Sequence, residues 1–310
     1  MAVVDVHGDP ELVAEVFEAR AADMPLRLEH FAALRVNWSD KAQNIRDIAA
    51  ELNIGLDSLV YVDDSAFETA LVTELVPEVH TIRLPEDPVE YREVLARCTL
   101  FDTLTFSEED RRRSEMYAAE RQRRDERAAS AMTVDDYLRG LEMEVAIDTV
   151  DAQTIPRAAQ LTQKTNQFNL TTKRYSEGEI QDFAAAADCD VYVARLRDRL
   201  GDSGVIGLAI VRHQRGQSDV DTLLMSCRAL GRGVEDALLA ACIRKSAQRG
   251  SRDVAGRYIP TAKNARAADF YDTRGFTAGG DGVYRRSIGS DAAGFPAHFK
   301  SIVVDGEPVV

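Results

Sequence analysis

The sequence predicts an α/β protein built in two parts: a parallel α/β sheet, then a mixed α/β sheet. Three observations predict it. Through the first hundred residues, short apolar runs alternate with helix-like segments, the rhythm of βαβ units on a parallel sheet. In the second half, three strand-like runs follow one another in meander. The last of them, an apolar run over 220–224, leads through a glycine-rich turn, Met225–Gly233, straight into a helix over 234–248. A length of 310 residues makes two domains the natural division. The expected bounds are a first domain over 1–100, a helical connector over 101–140, a second domain over 141–288 and a tail over 289–310.

In chain order, 2–4 is a short apolar start, 10–21 a helix and 31–36 a strand. Ser39 is a good N-cap for a helix to about Leu52, with Ala42, Ile45, Ile48, Ala49 and Leu52 on one face. The run 59–62 is a continuous apolar strand that ends in Asp63-Asp64. A helix over 67–75 and a short strand over 80–84 follow. Acidic residues just past a buried strand lie at the carboxyl edge, where such sheets place ligands.

Ser107 with Glu108, Glu109 and Asp110 reads as a helix start, and the helix runs to about Ala129. Its arginines, from Arg111 to Arg127, offer a basic face for an acidic carrier protein. Its interspersed acids favour the plainer reading, a solvated connector laced with i,i+4 ion pairs. Met143, Val145 and Ile147 alternate with Glu142, Glu144 and Asp148, a half-buried strand. A helix over 155–163 precedes the polar stretch 164–172, and strands are expected over 190–196, 204–212, 220–227 and 253–259. A helix over 264–273 and a bent strand over 276–286 close the second domain, and no role is assigned to the glycine- and alanine-rich tail.

Chemistry is expected at the turn Met225–Gly233. The first amides of a helix lack internal partners and the dipole adds partial positive charge, so strand, glycine turn and helix N-terminus form an anion trap. Gly231 and Gly233 let the backbone approach a ligand without a Cβ in the way. Arg228 and Arg232 add charge-assisted hydrogen bonds to a phosphate. Alone, a Gly-x-Gly turn is more often just a tight connection. Here Arg228-x-x-Gly231-x-Gly233 resembles the pyrophosphate-binding pattern of the GNAT acyltransferases. Further on, Asn264-x-x-Ala267-x-x-Phe270-Tyr271-x-x-x-Gly275-Phe276 resembles the second GNAT signature. The resemblance implies a slot for the pantetheine arm of coenzyme A or of an acyl carrier protein. It assigns donor binding to Arg228, Leu230, Gly231, Arg232, Gly233, Val234 and Asn264, and makes Tyr271 the general acid for the departing thiol.

Cys227 stands at the strand end before the turn. A thiol near a helix N-terminus and beside Arg228 is expected to have a lowered pKa, which suits a covalent acyl-enzyme. The plain alternative is a small buried apolar residue. Asn166, Gln167, Asn169 and Thr171 are expected either to line a polar acyl or acceptor pocket or to make turns and caps. No histidine is placed as a base, so an amine acceptor would give its proton to Asp202, Asp221 or water.

Lys41 and the pair Asp63-Asp64 resemble the last two motifs of the haloacid dehalogenase-like (HAD) phosphatases. There the lysine steadies a phospho-aspartate and the acids hold Mg²⁺. The chain as a whole resembles the FkbH-like proteins of polyketide biosynthesis. That implies a truncated HAD-like (Rossmannoid) parallel sheet domain followed by a GNAT-like mixed α/β domain. The stretches 31–41, 160–172 and 258–264 carry the likeness. Family members take a glyceryl group from a phosphorylated C3 acid, hold it on a cysteine and pass it to an acyl carrier protein.

The chain departs from that pattern. The nucleophile motif Asp-x-Asp-x-Thr would lie before residue 1, and the next motif reads Val4-Asp5-Val6-His7-Gly8-Asp9 with no hydroxyl. Without its nucleophile a phosphatase forms no phospho-enzyme. Lys41, Asp63 and Asp64 are therefore expected to be relics, no Mg²⁺ site is expected, and Asp5 and His7 read as polar residues of a decayed loop. This half is then a structural remnant or docking surface, with a partner chain or second copy covering the edge of its truncated sheet.

A net charge of −14 argues against a general nucleic-acid binder, which needs a basic face. The four cysteines, Cys98, Cys189, Cys227 and Cys242, form no C-x-x-C pair, which argues against a zinc site or a disulfide framework. No apolar run approaches the length that spans a bilayer, and the start lacks a signal-peptide pattern, so a cytoplasmic protein with reduced thiols is expected. The expected activity is transfer of a small acyl group between a pantetheine thioester and an acceptor. The alternatives are glyceryl transfer to an acyl carrier protein through Cys227, acetyl-CoA-dependent N-acetylation, and a non-catalytic carrier-binding module.

Overall fold

A computed structural model describes residues 2–102, 113–129, 132–289 and 294–310. It divides into two units, Met1–Arg124 and Asp125–Val310. The expected start of the connector helix, with Ser107, Arg111 and Arg112, lies outside the described residues.

The first unit contains β1 (Ala2–His7), α1 (Pro10–Ala19), β2 (Phe31–Asn37), α2 (Lys41–Leu52), β3 (Val60–Asp63), α3 (Ala66–Leu75), β4 (His80–Arg83) and α4 (Tyr91–Ala96). β1 pairs with β2 and β3 with β4, both in parallel, as the βαβ rhythm predicts. They form two separate two-stranded sheets rather than one. α2 serves both. Its Ala42 and Ile45 pack with Tyr61, Val72, Val76 and Val79, while Ile48 and Leu52 pack with Ala32, Ala33 and Tyr117. The cap of α2 is Asp40, whose side chain accepts from Gln43 N–H at 2.9 Å. Ser39 instead donates its own N–H to Asn37, because a carboxylate one residue later reaches the N3 amide.

The residues read as a decayed loop are not a loop. Asp5 and His7 belong to β1. Lys41 is buried and its Nζ donates to the Asp5 carbonyl at 2.6 Å and to the Asp5 carboxylate at 3.2 Å. Asn44 donates to the same carboxylate oxygen. Asp63 accepts from Tyr61 Oη and from Ser65 N–H, and Asp64 from Tyr91 Oη. Among the described residues, no group of three or more His, Cys, Asp and Glu side chains converges to hold a metal. α5 (Arg113–Ala129) buries Met116 and Tyr117; where i,i+4 pairs were expected, Arg123 pairs with Glu120 at i,i+3 and Arg124 with Glu51 of α2.

After α6 (Val134–Gly140), the second unit is a nine-stranded mixed sheet ordered β10-β11-β9-β8-β7-β6-β5-β12-β13. Its strands are β5 (Glu144–Thr149), β6 (Cys189–Asp198), β7 (Gly201–Gln214), β8 (Gln217–Met225), β9 (Asp253–Arg257), β10 (Thr277–Ala278), β11 (Val283–Ser287), β12 (Ser301–Val304) and β13 (Glu307–Pro308). β5 to β8 run antiparallel in sequence, and β9 joins β8 in parallel. Side-chain alternation sorts the two faces. Tyr192, Ala194, Ala209, Val211, Leu223 and Met225 meet α9 (Val234–Gln248) through Val234, Ala237, Leu238, Ala241 and Cys242. On the other face, Val191, Val193, Leu208, Ile210 and Leu224 meet α7 (Ile155–Lys164) and α8 (Glu177–Ala185).

Three elements differ from expectation. The stretch 264–273 is not one α-helix but a tight coil with 3₁₀ turns at Ala265–Ala267 and Asp272–Arg274. Its bonds run mostly to the third residue back, such as Phe270 N–H to Ala267 O. The bent strand is a hairpin, β10 and β11, closed where Gly279 N–H donates to Val283 O. Residues 289–310 supply two strands: β12 lies parallel to β5, and Phe299, Ile302 and Val304 are buried in the core. Ser301-Ile-Val-Val followed by Asp305-Gly306 is a β-branched run ending in a hairpin signal, which marks this strand in the sequence.

Candidate active site

β8 ends at Met225, and the chain then makes a 3₁₀ turn, Cys227–Ala229, before the two glycines. Gly231 (φ +76°) and Gly233 (φ +79°) are both left-handed, which other residues adopt only with strain. Gly233 is the N-cap of α9 and offers no side-chain cap, so the first amides of that helix are left for another acceptor. Around Gly231 a Cβ would meet nothing within 4 Å. Around Gly233 it would lie 2.8 Å from the His298 ring, whose Nε2 donates to Arg232 O at 2.8 Å. The C-terminal residues thus brace one side of the turn.

The anion in this cradle is the chain's own. Glu235, in the first turn of α9, is buried, and the backbone N–H groups of Glu235 itself and Gly231 favour the charged form of its carboxylate. Its second oxygen is buried without a partner. Burial pushes its pKa up, and the neighbouring Asp236 adds to this; the backbone donors and Arg274 only partly offset the shift. Sequence reasoning missed Glu235. Its signal was a carboxylate two residues past a glycine N-cap, where an acid complements the helix dipole.

The two arginines of the turn part ways. Arg232 is buried: its guanidinium lies 3.5 Å from the fully buried Asp198 carboxylate and donates to Arg228 O at 2.7 Å. The side chain expected at a phosphate is thus held by the fold, since a buried cation keeps its counter-ion. Arg228 is half-buried and contributes its carbonyl to that arrangement. Leu230 packs against the core and Val234 is buried within it. Cys227 is half-buried in the 3₁₀ turn.

Tyr271 lies further along the sheet. It is 1% exposed, packed among Phe270, Phe276 and Tyr284, and its hydroxyl has no hydrogen-bond partner among the described residues. The hydroxyl sits on Gly256, where a Cβ would come within 2.3 Å of it. Burial, with smaller contributions from Cys242 and Asp219, pushes its pKa up. The phenol therefore keeps its proton through neutral pH, the form from which a general acid starts.

Gly256 pairs with Val220 on β8, whereas Cys227 follows Met225 at the end of that strand. The structure does not bring Cys227 and Tyr271 together. The five residues of strand between their levels span about 16 Å.

Of the residues expected either to line a pocket or to make turns and caps, Asn166, Asn169 and Thr171 are hydrogen-bonded within the fold. Asn169 is fully buried; its Oδ1 accepts from Thr172 N–H at 2.8 Å and its carbonyl from Asn264. Thr171 is buried and its hydroxyl donates to Asp221 O at 3.0 Å. Asn166 accepts from Arg174, and Gln167 is half-buried next to it in the chain. Asn264, expected at the donor, is fully buried. Its Nδ2 donates to the carbonyls of Asn169 and Ile259, while its Oδ1 accepts from the Thr261 N–H and hydroxyl.

Of the carboxylates considered as a base, Asp221 is committed. Burial acts to raise its pKa, but hydrogen bonds from Lys173 and Tyr175 outweigh this and hold it below the usual value. Asp202 caps the turn at Gly204.

No family model matches the chain, and no curated protein matches it. Among solved structures, it is similar to the N-terminal, phosphatase-containing part of a Bacteroides fragilis protein complexed with Mg, at 43% identity over 34% of this chain and a TM-score of 0.32. That match spans only 27% of the other chain's length. It is also similar to the ribosomal-protein-S18-alanine N-acetyltransferase from Escherichia coli, at 16% identity over 47% of this chain and 97% of that one, with a TM-score of 0.36. An acetyltransferase of the GNAT family from Staphylococcus aureus Mu50 matches at 10% identity over 47% of this chain and 99% of that one, with a TM-score of 0.38.

Proposed function

We propose that the second unit is an acyltransferase of natural-product biosynthesis that moves a small acyl group between a pantetheine thioester and an acceptor. The donor is an acyl carrier protein or coenzyme A. Its phosphate lies against the Gly231–Gly233 amides and its thioester reaches Tyr271. One observation carries this reading: a tyrosine 1% exposed whose hydroxyl has no partner among the described residues, seated where the parallel strands β8 and β9 stop pairing. A buried unpaired hydroxyl costs about 1–3 kcal/mol, which a fold retains when the group serves something other than the fold.

In this mechanism the uncapped amides of α9 hold the donor's negative charge and polarise its oxygens. The acceptor attacks the thioester carbon and gives its proton to water, the C–S bond breaks, and the leaving sulfur takes the Tyr271 proton, which is restored from solvent. The first unit acts as scaffold, with Lys41, Asp63 and Asp64 held in the bonds described above. The docking of a partner chain or second copy on it belongs to the same proposal.

Intact-mass measurement after incubation with an acetyl or glyceryl thioester decides the route through Cys227. Direct transfer leaves the mass unchanged and Cys227→Ser fully active. A covalent route gives an acyl adduct that Cys227→Ser abolishes together with turnover. Absence of turnover with every thioester, coenzyme A and carrier-bound alike, would overturn the proposal.

A further inference from the structure

Beyond Val220 and Gly256, β8 and β9 no longer pair. β8 runs on to Met225, yet its second edge is not open there. The segment 168–170 lies along it in antiparallel sense. Leu170 N–H donates to Leu223 O at 3.1 Å, Met225 N–H donates to Phe168 O at 3.0 Å, and Asn169 faces Leu224. On its far side the segment bonds beyond the end of β9, where Ile259 N–H donates to Leu170 O at 2.8 Å. Phe168 and Leu170 are buried. Three residues from a stretch before β6 thus fill the wedge between two parallel strands. Asn264 pins them: its side-chain amide holds the Asn169 and Ile259 carbonyls together.

A donor with its phosphate at Gly231–Gly233 and its thioester at Tyr271 has one route, back along this edge of β8 from Met225 toward Val220. Its arm carries amide groups. The backbone groups they would bond are Leu223 O and Met225 N–H, the two that the segment already occupies. At the turn itself the buried Glu235 carboxylate is the acid nearest the amides, which favour its charged form.

We infer that residues 168–170 form a strap that stands in for the donor arm, closing the transferase at rest and leaving the β8 edge when a thioester donor binds. This rests on the reading of the turn as the donor site. Each strap bond to β8 has a counterpart from an amide of the arm, and the burial of the arm offsets the lost bonds to Ile259 and Asn264 and the uncovering of Phe168 and Leu170. The strap is a short irregular piece outside the regular strands, so it lifts without unzipping one.

A disulfide lock tests this. Asn169 and Leu224 are a non-hydrogen-bonded antiparallel pair, whose Cα atoms lie about 4.5 Å apart in such ladders, within disulfide range. Asn169→Cys combined with Leu224→Cys is titrated with coenzyme A by calorimetry, oxidised and after reduction, beside the native chain under the same treatment. The oxidised form is expected not to bind and the reduced form to bind like the native chain. Equal binding by locked and reduced forms would overturn the strap and leave the donor site standing. Absence of binding by the native chain, to coenzyme A and to a pantetheine-bearing carrier protein, would overturn the donor site and the strap with it.

Should the double variant not fold, hydrogen exchange on the native chain separates the same outcomes. Coenzyme A at saturation is expected to speed exchange at the Leu170 amide while Met225 stays protected by the arm. Binding with Leu170 protection unchanged would contradict the strap.

Discussion

Gly256→Ala is expected to destabilise the second unit by about 3 kcal/mol, at the upper end of what overpacking a core costs. The cause is space alone, since Gly256 has an ordinary backbone conformation. An added methyl would lie 2.3 Å from Tyr271 Oη, 2.4 Å from Cζ and 2.8 Å from Cε1. The ring cannot yield, because Phe270, Phe276 and Tyr284 hold its other sides. The strand cannot yield either, for β9 lies between β8 and β11. Thermal or urea unfolding of the variant measures the loss; for a unit of this size it corresponds to about 10 °C in Tm. A variant as stable as the parent would mean that Tyr271 is not seated where we describe it.

Tyr271→Phe is expected to separate stability from activity. Removing the hydroxyl relieves a buried group with no partner, so the variant should be as stable as the parent or about 1 kcal/mol more so. Transfer should fall about 10²- to 10⁴-fold in kcat, the usual contribution of a positioned general acid, with donor affinity little changed. Unfolding curves and steady-state kinetics on one preparation check both halves. A variant that loses stability and keeps full activity would make Tyr271 a packing residue only.

How much of this was legible beforehand depended on range. α9 occupies 234–248 as read, because its stripe of Val234, Leu238, Ala241 and Cys242 and the glycines before it are local signals. The parallel pairs of the first unit followed from local alternation in the same way. What the sequence hid depends on partners far along the chain. Arg232 reads as a phosphate ligand until Asp198 is found beside it. Asn169, Thr171 and Asn264 read as pocket or donor residues until each is seen to hold backbone of another segment. The strap is a pairing between Leu170 and Leu223, which no periodicity in either stretch announces. The helix over 264–273 was expected from the resemblance to the second GNAT signature; the stretch forms 3₁₀ turns, with Phe270 and Tyr271 buried.

The cradle at the turn and its resident carboxylate are tested most directly by coenzyme A affinity across pH in the native chain and in Glu235→Gln. Glu235 is raised above the ordinary glutamate value of 4.5, so its ionised form is the one the fold disfavours. The stability it withholds is lost as pH rises through the raised value, and the site becomes hospitable to another anion as pH falls through it. Native affinity is therefore expected to strengthen as pH falls through the raised value and the carboxylate takes up its proton. Glu235→Gln is expected to bind at least about tenfold more tightly at pH above the raised value, because no like charge remains in the cradle, and to lack that slope. Equal affinities with the same pH profile would contradict the account, because the donor's phosphate would then not lie against the amides that Glu235 now occupies.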